Sequence, residues 1–291
     1  MIAAWKKFWF LPQDPFNLGV LRFFVCCGGA VFYAFMHDAH PEGFFTNWQP
    51  ISFYQLLPGP LSWNVVEGIR IVWLVSAFLA GLGLAFRFTI AVSALTGVFY
   101  NGYTYNFGWV YHSGHIYIMA LIILSLSRAG DGFRIFPSKK PLPEPSSAYR
   151  WPIQLIRCYV VYVFFICGLQ KVWQAGMTFD WALSNSFFNM LVSTPYQSPI
   201  GVWIQSQPAW VSRMIACAGL FVMELGAPLA LVSRRSAAAY FFIWPSFHIF
   251  VTATFGIHSM FFSQVLVYTA FIDWRPVFNR ILLPRAAEVR A

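Results

Sequence analysis

"LIRCYVVYVFFICGLQKVW", residues 155–173, is a run of aliphatic and aromatic side chains with Arg157 near one end and Lys171 near the other. Read as a span over residues 151–172, it has the roughly 17–25 residues that a hydrocarbon core about 30 Å thick requires. Comparable runs occur near 18–36, 69–86, 88–107, 109–127, 211–233, 236–256 and 258–274. They predict an all-α, polytopic integral membrane helical bundle of about eight transmembrane helices. Composition agrees: the chain is 58% hydrophobic and 20% aromatic, with 10% charged residues where a soluble domain has about 25%.

In such a chain the net charge of +9 is a statement about topology, and no nucleic-acid partner is expected. With the N-terminus in the cytoplasm and the spans alternating, fourteen of the nineteen basic residues fall in cytoplasmic segments, as the positive-inside rule requires. Asp38, Glu42, Glu67 and Asp180 fall outside. The expected location is the cell (inner) membrane, multi-pass, with both termini cytoplasmic. Lys6 and Lys7 precede no apolar run that ends in a cleavage site, so no removable signal peptide is read. "FWFLPQDP" (8–15) reads as an interfacial segment.

Two connections are long. "SKKPLPEPSS" (138–147) lies in a cytoplasmic linker near 128–150, between four spans and four. Neither half would bury much alone, which makes 1–291 a single domain. The exoplasmic segment near 173–210, rich in Trp, Phe and Asn, is too apolar for a free loop and is expected to fold back as a helical cap. The five cysteines (26, 27, 158, 167 and 217) all lie in apolar runs without metal spacing, so structural thiols and no metal are expected.

Ionisable groups inside a bilayer cost about 2.5–3.5 kcal/mol each on insertion scales and therefore mark function or pairing. An outer layer collects His112 and His115, three residues apart on one helix face, together with Lys171, His248 and His258. Trp109, Tyr117, Trp173 and Trp244 lie near these depths. An inner and middle layer holds Arg22, Arg157 and Glu224, with Arg87 at the cytoplasmic boundary. These four read as structural charges, Glu224 neutralising an arginine across the bundle. Arg157 and Lys171, fourteen residues apart, share a helix face at different depths.

Lys171 has two readings. As a snorkelling lysine it sends its ammonium to the headgroups. As a buried amine its charged form is disfavoured, and it serves as a base near neutral pH; removing it is then expected to leave the fold intact. Histidines at the same level offer hydrogen bonds to a ligand's oxygens. An amphiphile such as a quinol suits an aromatic-lined pocket, and a haem held by facing histidines is a rival. The chain has no P-loop, HExxH or Ser/His/Asp pattern.

The ordered set "DPFNLGVLRF" (14–23), "GLGLAFR" (81–87), "GHIYIMALIILSLSRAGD" (114–131), "LIRCYVVYVFFICGLQKVW" (155–173), "MELGAPLALV" (223–232) and "FHIFVTATFGIHSMF" (247–261) resembles the transmembrane domain of the vitamin K-dependent gamma-carboxylase. It also resembles that domain's bacterial relatives, the horizontally transferred transmembrane (HTTM) family. The resemblance implies a quinol-dependent enzyme using oxygen and carbon dioxide. The quinol is of vitamin K or menaquinol type, and Lys171 stands at the position of the base that deprotonates it. His115 or His112 matches the family's fourth-span histidine, depending on whether spacing is counted from "SLSRAGD" or from Trp109. His248 matches the span-seven histidine. His115 and His248 are thereby expected to hold quinone oxygens, with His112, Trp109, Tyr117, Trp173, Trp244 and His258 lining the cofactor pocket.

Gln170 stands where the family enzyme has the first of two lysines, and the family's large soluble domain has no counterpart before residue 291. Membrane lipid, quinone, a peptide or protein substrate and a soluble partner subunit are the partners implied. The other reading from the same resemblance is a non-catalytic membrane factor for the maturation, export or immunity of a secreted peptide.

Overall fold

A computed structural model gives the structure of the chain and describes residues 2–35, 48–107, 114–133, 135–136, 143–194, 198–255 and 262–282. Among these residues the regular structure is helical, apart from one isolated bridge between Gln13 and Ser146. Among the described residues five helices are long and apolar enough to cross a membrane: Pro15–Phe35, Trp63–Leu82, Ser147–Gln174, Ala209–Leu231 and Arg234–Phe255. The chain is an all-α membrane protein. The expected count of about eight is not reached on that criterion. The other three expected spans correspond to Phe86–Thr104, which carries Arg87 and Asn101, and to the shorter apolar helices His115–Ser125 and Phe262–Phe271. Trp109, His112 and His258 lie outside the described residues.

The chain forms two compact units, Met1–Ile156 with Asp273–Ala291, and Arg157–Ile272. The division falls inside a helix rather than at the 128–150 linker, where the sequence separates four spans from four.

In the first unit, α1 (Ile2–Phe10) buries none of its side chains. The next helix, α2 (Pro15–Phe35), starts where Asp14 accepts a hydrogen bond from the Phe16 amide at 2.7 Å, with Pro15 at the first helical position. Helices α3 (Trp63–Leu82) and α4 (Phe86–Thr104) form a tight hairpin. Gly83, at φ +84°, ends α3 with paired bonds from the Gly83 amide to Ala80 O and from the Leu84 amide to Leu79 O.

Arg22 of α2 is fully buried beside this turn and donates to four carbonyls: Gly81 at 3.3 Å, Ala129 at 2.8 Å, Gly132 at 3.3 Å and Phe133 at 2.7 Å. Carbonyls at helix ends lack intrahelical donors, and the planar fork of a guanidinium suits several at once. Arg87 caps Ser127 O at 3.0 Å in the same way. Helix α5 (His115–Ser125) follows, with Tyr117 buried against Gly29, where a Cβ would approach the ring to 2.2 Å.

In the second unit, α6 (Trp151–Gln174, counted here from Arg157) leads into three short helices, α7 (Asp180–Leu183), α8 (Ser186–Ser193) and α9 (Pro199–Gln205). Ser198 starts α9: its hydroxyl accepts from the Gly201 amide at 2.9 Å and donates to Thr254 O at 2.6 Å. The stretch read as a cap contains these three short helices among the described residues. Their apolar sides, Ala182, Phe187, Leu191 and Ile204, pack with Ala216, Leu220 and Phe255. Two spans follow, α10 (Ala209–Leu231) and α11 (Arg234–Phe255), then α12 (Phe262–Phe271). Arg157 donates to Ala270 O at 2.6 Å and lies over the Phe271 ring.

Candidate functional site

Helix α10 is not regular. Over Ala218–Glu224 it widens into a π-helical segment, in which the Leu225 amide reaches back five residues to Leu220 O at 2.8 Å. A tight turn over Ala227–Leu231 follows, containing Pro228, which has no amide to donate. Such a change of pitch leaves carbonyls without their usual donors. Side chains of α11 supply them. The Tyr240 hydroxyl lies 2.7 Å from Val222 O and 2.6 Å from Gly226 O, and Trp244 Nε1 donates to Met223 O at 3.3 Å. Widened turns of this kind recur at functional sites because they re-aim side chains.

The side chain at the end of the segment is Glu224. Its Oε1 accepts a hydrogen bond from Lys171 Nζ and forms an ion pair with it. Gly168, one turn before Lys171 on the same face of α6, allows the approach. A Cβ there would lie 2.9 Å from Glu224 Cβ and 3.0 Å from Leu225 Cδ2. The other side of the ammonium faces the Trp181 ring at 4.3 Å from its centroid, a cation–π contact. The Glu224 side chain is 7% exposed and that of Lys171 is 27% exposed. A carboxylate this deep is retained only with a partner. Among the described residues the second oxygen, Oε2, has no hydrogen-bond partner.

Lys171, Trp181 and Glu224 lie on the wall of a cavity of about 790 Å³. The rest of the wall is largely apolar, with Phe187 and Met190 from the cap, Ile215 and Val222 from α10, and Phe247 and Phe250 from α11. Its hydroxyls are already used within their own helices, Thr194 on Met190 O at 2.8 Å and Ser246 on Phe242 O at 2.8 Å. Gly219 forms a notch in this wall, and a Cβ there would meet nothing within 4 Å.

Glu224 was expected to neutralise an arginine, and here the structure differs. Its partner is Lys171, while Arg157 is satisfied elsewhere in the same unit. The sequence assigned the two residues to different layers; in the structure the Lys171 side chain reaches Glu224 directly. The expectation for a Lys171 deletion changes too, because removing the amine strands a buried carboxylate.

The remaining candidates lie elsewhere. His248 is buried in a chain: its Nε2 is 2.7 Å from the Tyr268 hydroxyl, which donates to Gln264 Oε1 at 3.1 Å. With the tyrosine proton on Gln264, the imidazole donates through Nε2. Trp244 is fully buried, stacked on Phe164 at 4.8 Å, and Trp173 is 72% exposed. None of these three lines the cavity. His115, edge-on to Tyr105 at 5.5 Å, and Tyr117 belong to the first unit. Trp181, Phe187, Met190 and Gly219 were not singled out in the sequence; the only signal for the first three is the apolar content of the cap.

Comparison with known families matches residues 10–274 to the HTTM domain. No protein of curated function and no solved structure matches.

Proposed function

The chain belongs to the HTTM family, and from that premise we propose an integral-membrane enzyme of the vitamin K-dependent gamma-carboxylase type, with Lys171 as its base. The observation that carries this reading is the Lys171–Glu224 pair on the wall of a large apolar cavity. The cavity fits an amphiphilic quinol: apolar walls take the ring and tail, and the pair offers its head a proton acceptor. When bound, a quinol of vitamin K or menaquinol type supplies the reducing equivalents by which oxygen becomes a base for a carbon acid, to which carbon dioxide then adds.

The chain's own part is proton transfer. In low dielectric an ion pair and its neutral counterpart come closer in energy than in water, because the charged forms lose solvation. Glu224 can take the Lys171 proton at Oε1, leaving a neutral amine able to receive one from a hydroxyl. The Trp181 face then stabilises the ammonium that forms, by about 0.5–2 kcal/mol. The cap helices and the apolar walls surround the cavity onto which Lys171 opens.

In this reading both termini are cytoplasmic in the inner membrane, and the cavity faces the exoplasmic side. A peptide or protein substrate comes from outside the described fold, alone or with a soluble subunit. One observation favours the other reading, a non-catalytic factor for a secreted peptide: Lys171 is already partnered, as a purely structural lysine would be.

The test is Lys171→Arg. Arginine keeps the charge and a donor for Glu224 but stays protonated. In lipid nanodiscs the variant should match the wild type in melting temperature and lose menaquinol-dependent oxygen uptake. A well-folded variant with full uptake ends the base assignment and leaves the structural reading.

A further inference from the structure

We propose that a groove beside the α3–α4 turn holds the phosphodiester of an anionic phospholipid, gripped between Arg87 and Arg128. The groove lies wholly in the first unit, and the proposal stands apart from the Lys171 cavity and its chemistry.

The groove has a volume of about 450 Å³. Its wall combines Phe86, Arg87 and Phe88 from the start of α4 with Arg128, Gly130 and Asp131 from the turn after α5. Helix α3 is long enough to cross a bilayer, so the turn that ends it lies near the headgroups.

Among the described residues one hydrogen bond fixes each guanidinium. Arg87 Nη1 donates to Ser127 O at 3.0 Å, and Arg128 Nε donates to Asp131 Oδ2 at 2.9 Å. Arg128 also lies over the Tyr149 ring, whose hydroxyl donates to the same carboxylate oxygen at 2.9 Å. A guanidinium carries five N–H donors, so each arginine is held in place and keeps most of its donors for a ligand. Its planar fork matches the paired oxygens of a phosphate. Charge points the same way. The buried Arg22 guanidinium stands 5.8 Å from the centroid of the Phe86 ring. Three cations thus stand on or behind a wall that holds one carboxylate, Asp131.

The rim decides which phosphate fits. Leu84, Phe88 and Leu126 are 40%, 72% and 71% exposed. Leu95, two helical turns beyond Phe88 on the same face of α4, is 73% exposed. An apolar track therefore leaves the cationic groove along α4. An acyl chain covers that track, whereas a soluble phosphate ester leaves it bare. Basic pockets at the ends of spans favour anionic head groups, and the choline cation of phosphatidylcholine offsets its own phosphate.

The test is native mass spectrometry of the purified protein titrated with phosphatidylglycerol or phosphatidylcholine of identical acyl chains. Phosphatidylglycerol should bind about tenfold more tightly, the scale of one charge-assisted hydrogen bond. Arg128→Gln should remove most of that preference; the side chain is 54% exposed, and Tyr149 still serves Asp131. Arg235→Gln, an exposed arginine at the start of α11, should leave the preference unchanged. Glycerol 3-phosphate in large excess should not displace the bound phosphatidylglycerol.

Equal affinity for the two lipids in the wild type overturns the proposal. A preference that survives in Arg128→Gln, or falls as far in Arg235→Gln, overturns the assignment to this groove in favour of diffuse attraction. Displacement by glycerol 3-phosphate makes the groove a site for soluble phosphate esters and overturns the lipid. The wild-type ratio and the competitor decide the matter even if Arg128→Gln does not fold.

Discussion

Gly168→Ala and Gly219→Ala are the same chemical change, one methyl group on a helix, and the structure gives them opposite signs. On an open helix surface alanine is favoured over glycine by about 0.8–1 kcal/mol. Gly219 offers that case, since its added Cβ meets nothing within 4 Å. At Gly168 the Cβ would sit 2.9 Å from Glu224 Cβ, while carbon atoms rest at about 3.5–4.0 Å. The two helices must separate by roughly 0.6–1.1 Å, or Glu224 must leave its rotamer. Overpacking of this kind costs about 1–3 kcal/mol. The net effect at 168 is then a loss of up to about 2 kcal/mol, against a gain of up to about 1 kcal/mol at 219. Because Glu224 Cβ is what moves, Gly168→Ala should also weaken the Lys171 pair. The assay is thermal unfolding of both variants in one nanodisc preparation, followed by tryptophan fluorescence. A Gly168→Ala melting temperature equal to or above that of Gly219→Ala refutes the close-approach argument and with it the geometric reason for the pair.

Three further outcomes are expected. Tyr240→Phe removes the hydroxyl serving Val222 O and Gly226 O and should cost about 1–3 kcal/mol of stability, measured by the same unfolding assay; an unchanged melting point means the irregular turns of α10 need no support from α11. Arg22→Lys keeps the charge but cannot reach four carbonyls; each charge-assisted bond lost costs about 1.5–3 kcal/mol, so monomeric yield on size exclusion should fall sharply, and normal yield refutes the hub. Glu144→Cys, at an exposed position of the connection before α6, should react with an impermeant maleimide only after cell lysis; labelling of intact cells reverses the topology.

The helices were legible because hydrocarbon imposes one requirement on every span, and runs such as 155–173 or 211–233 meet it visibly. The count was less so. Phe86–Thr104 mixes Arg87, Thr89 and Asn101 into its apolar run, and hydropathy alone does not separate such a helix from a half-buried one. The cap was legible as apolar content without a span, but its division into three helices depends on local chemistry at Ser198 and Pro199. The position of the unit boundary inside α6 has no linker composition to mark it, since a mostly apolar helix that carries Gln154 and Arg157 runs unbroken through Ile156.

Lys171 was legible as an exception, one cation in an apolar run, and Glu224 as another. What the sequence withheld is that they are one site. Each charge was ranked by its place within its own apolar run, which put Lys171 in an outer layer and Glu224 in an inner one. Two local departures from regular helix packing accompany their contact. The π-helical segment 218–224 fits fewer turns into the same residues and rotates Glu224 about the axis of α10, and Gly168 lets that face of α10 close on α6. Neither departure has a hydropathy signature, because glycine is common in spans and π-helical turns arise from tertiary packing. The correction also changes the chemistry. A lone buried lysine has no acceptor beside it, whereas Lys171 has a buried carboxylate as its hydrogen-bond acceptor and ion-pair partner. The charge the sequence assigned to structure is therefore half of the proposed machinery.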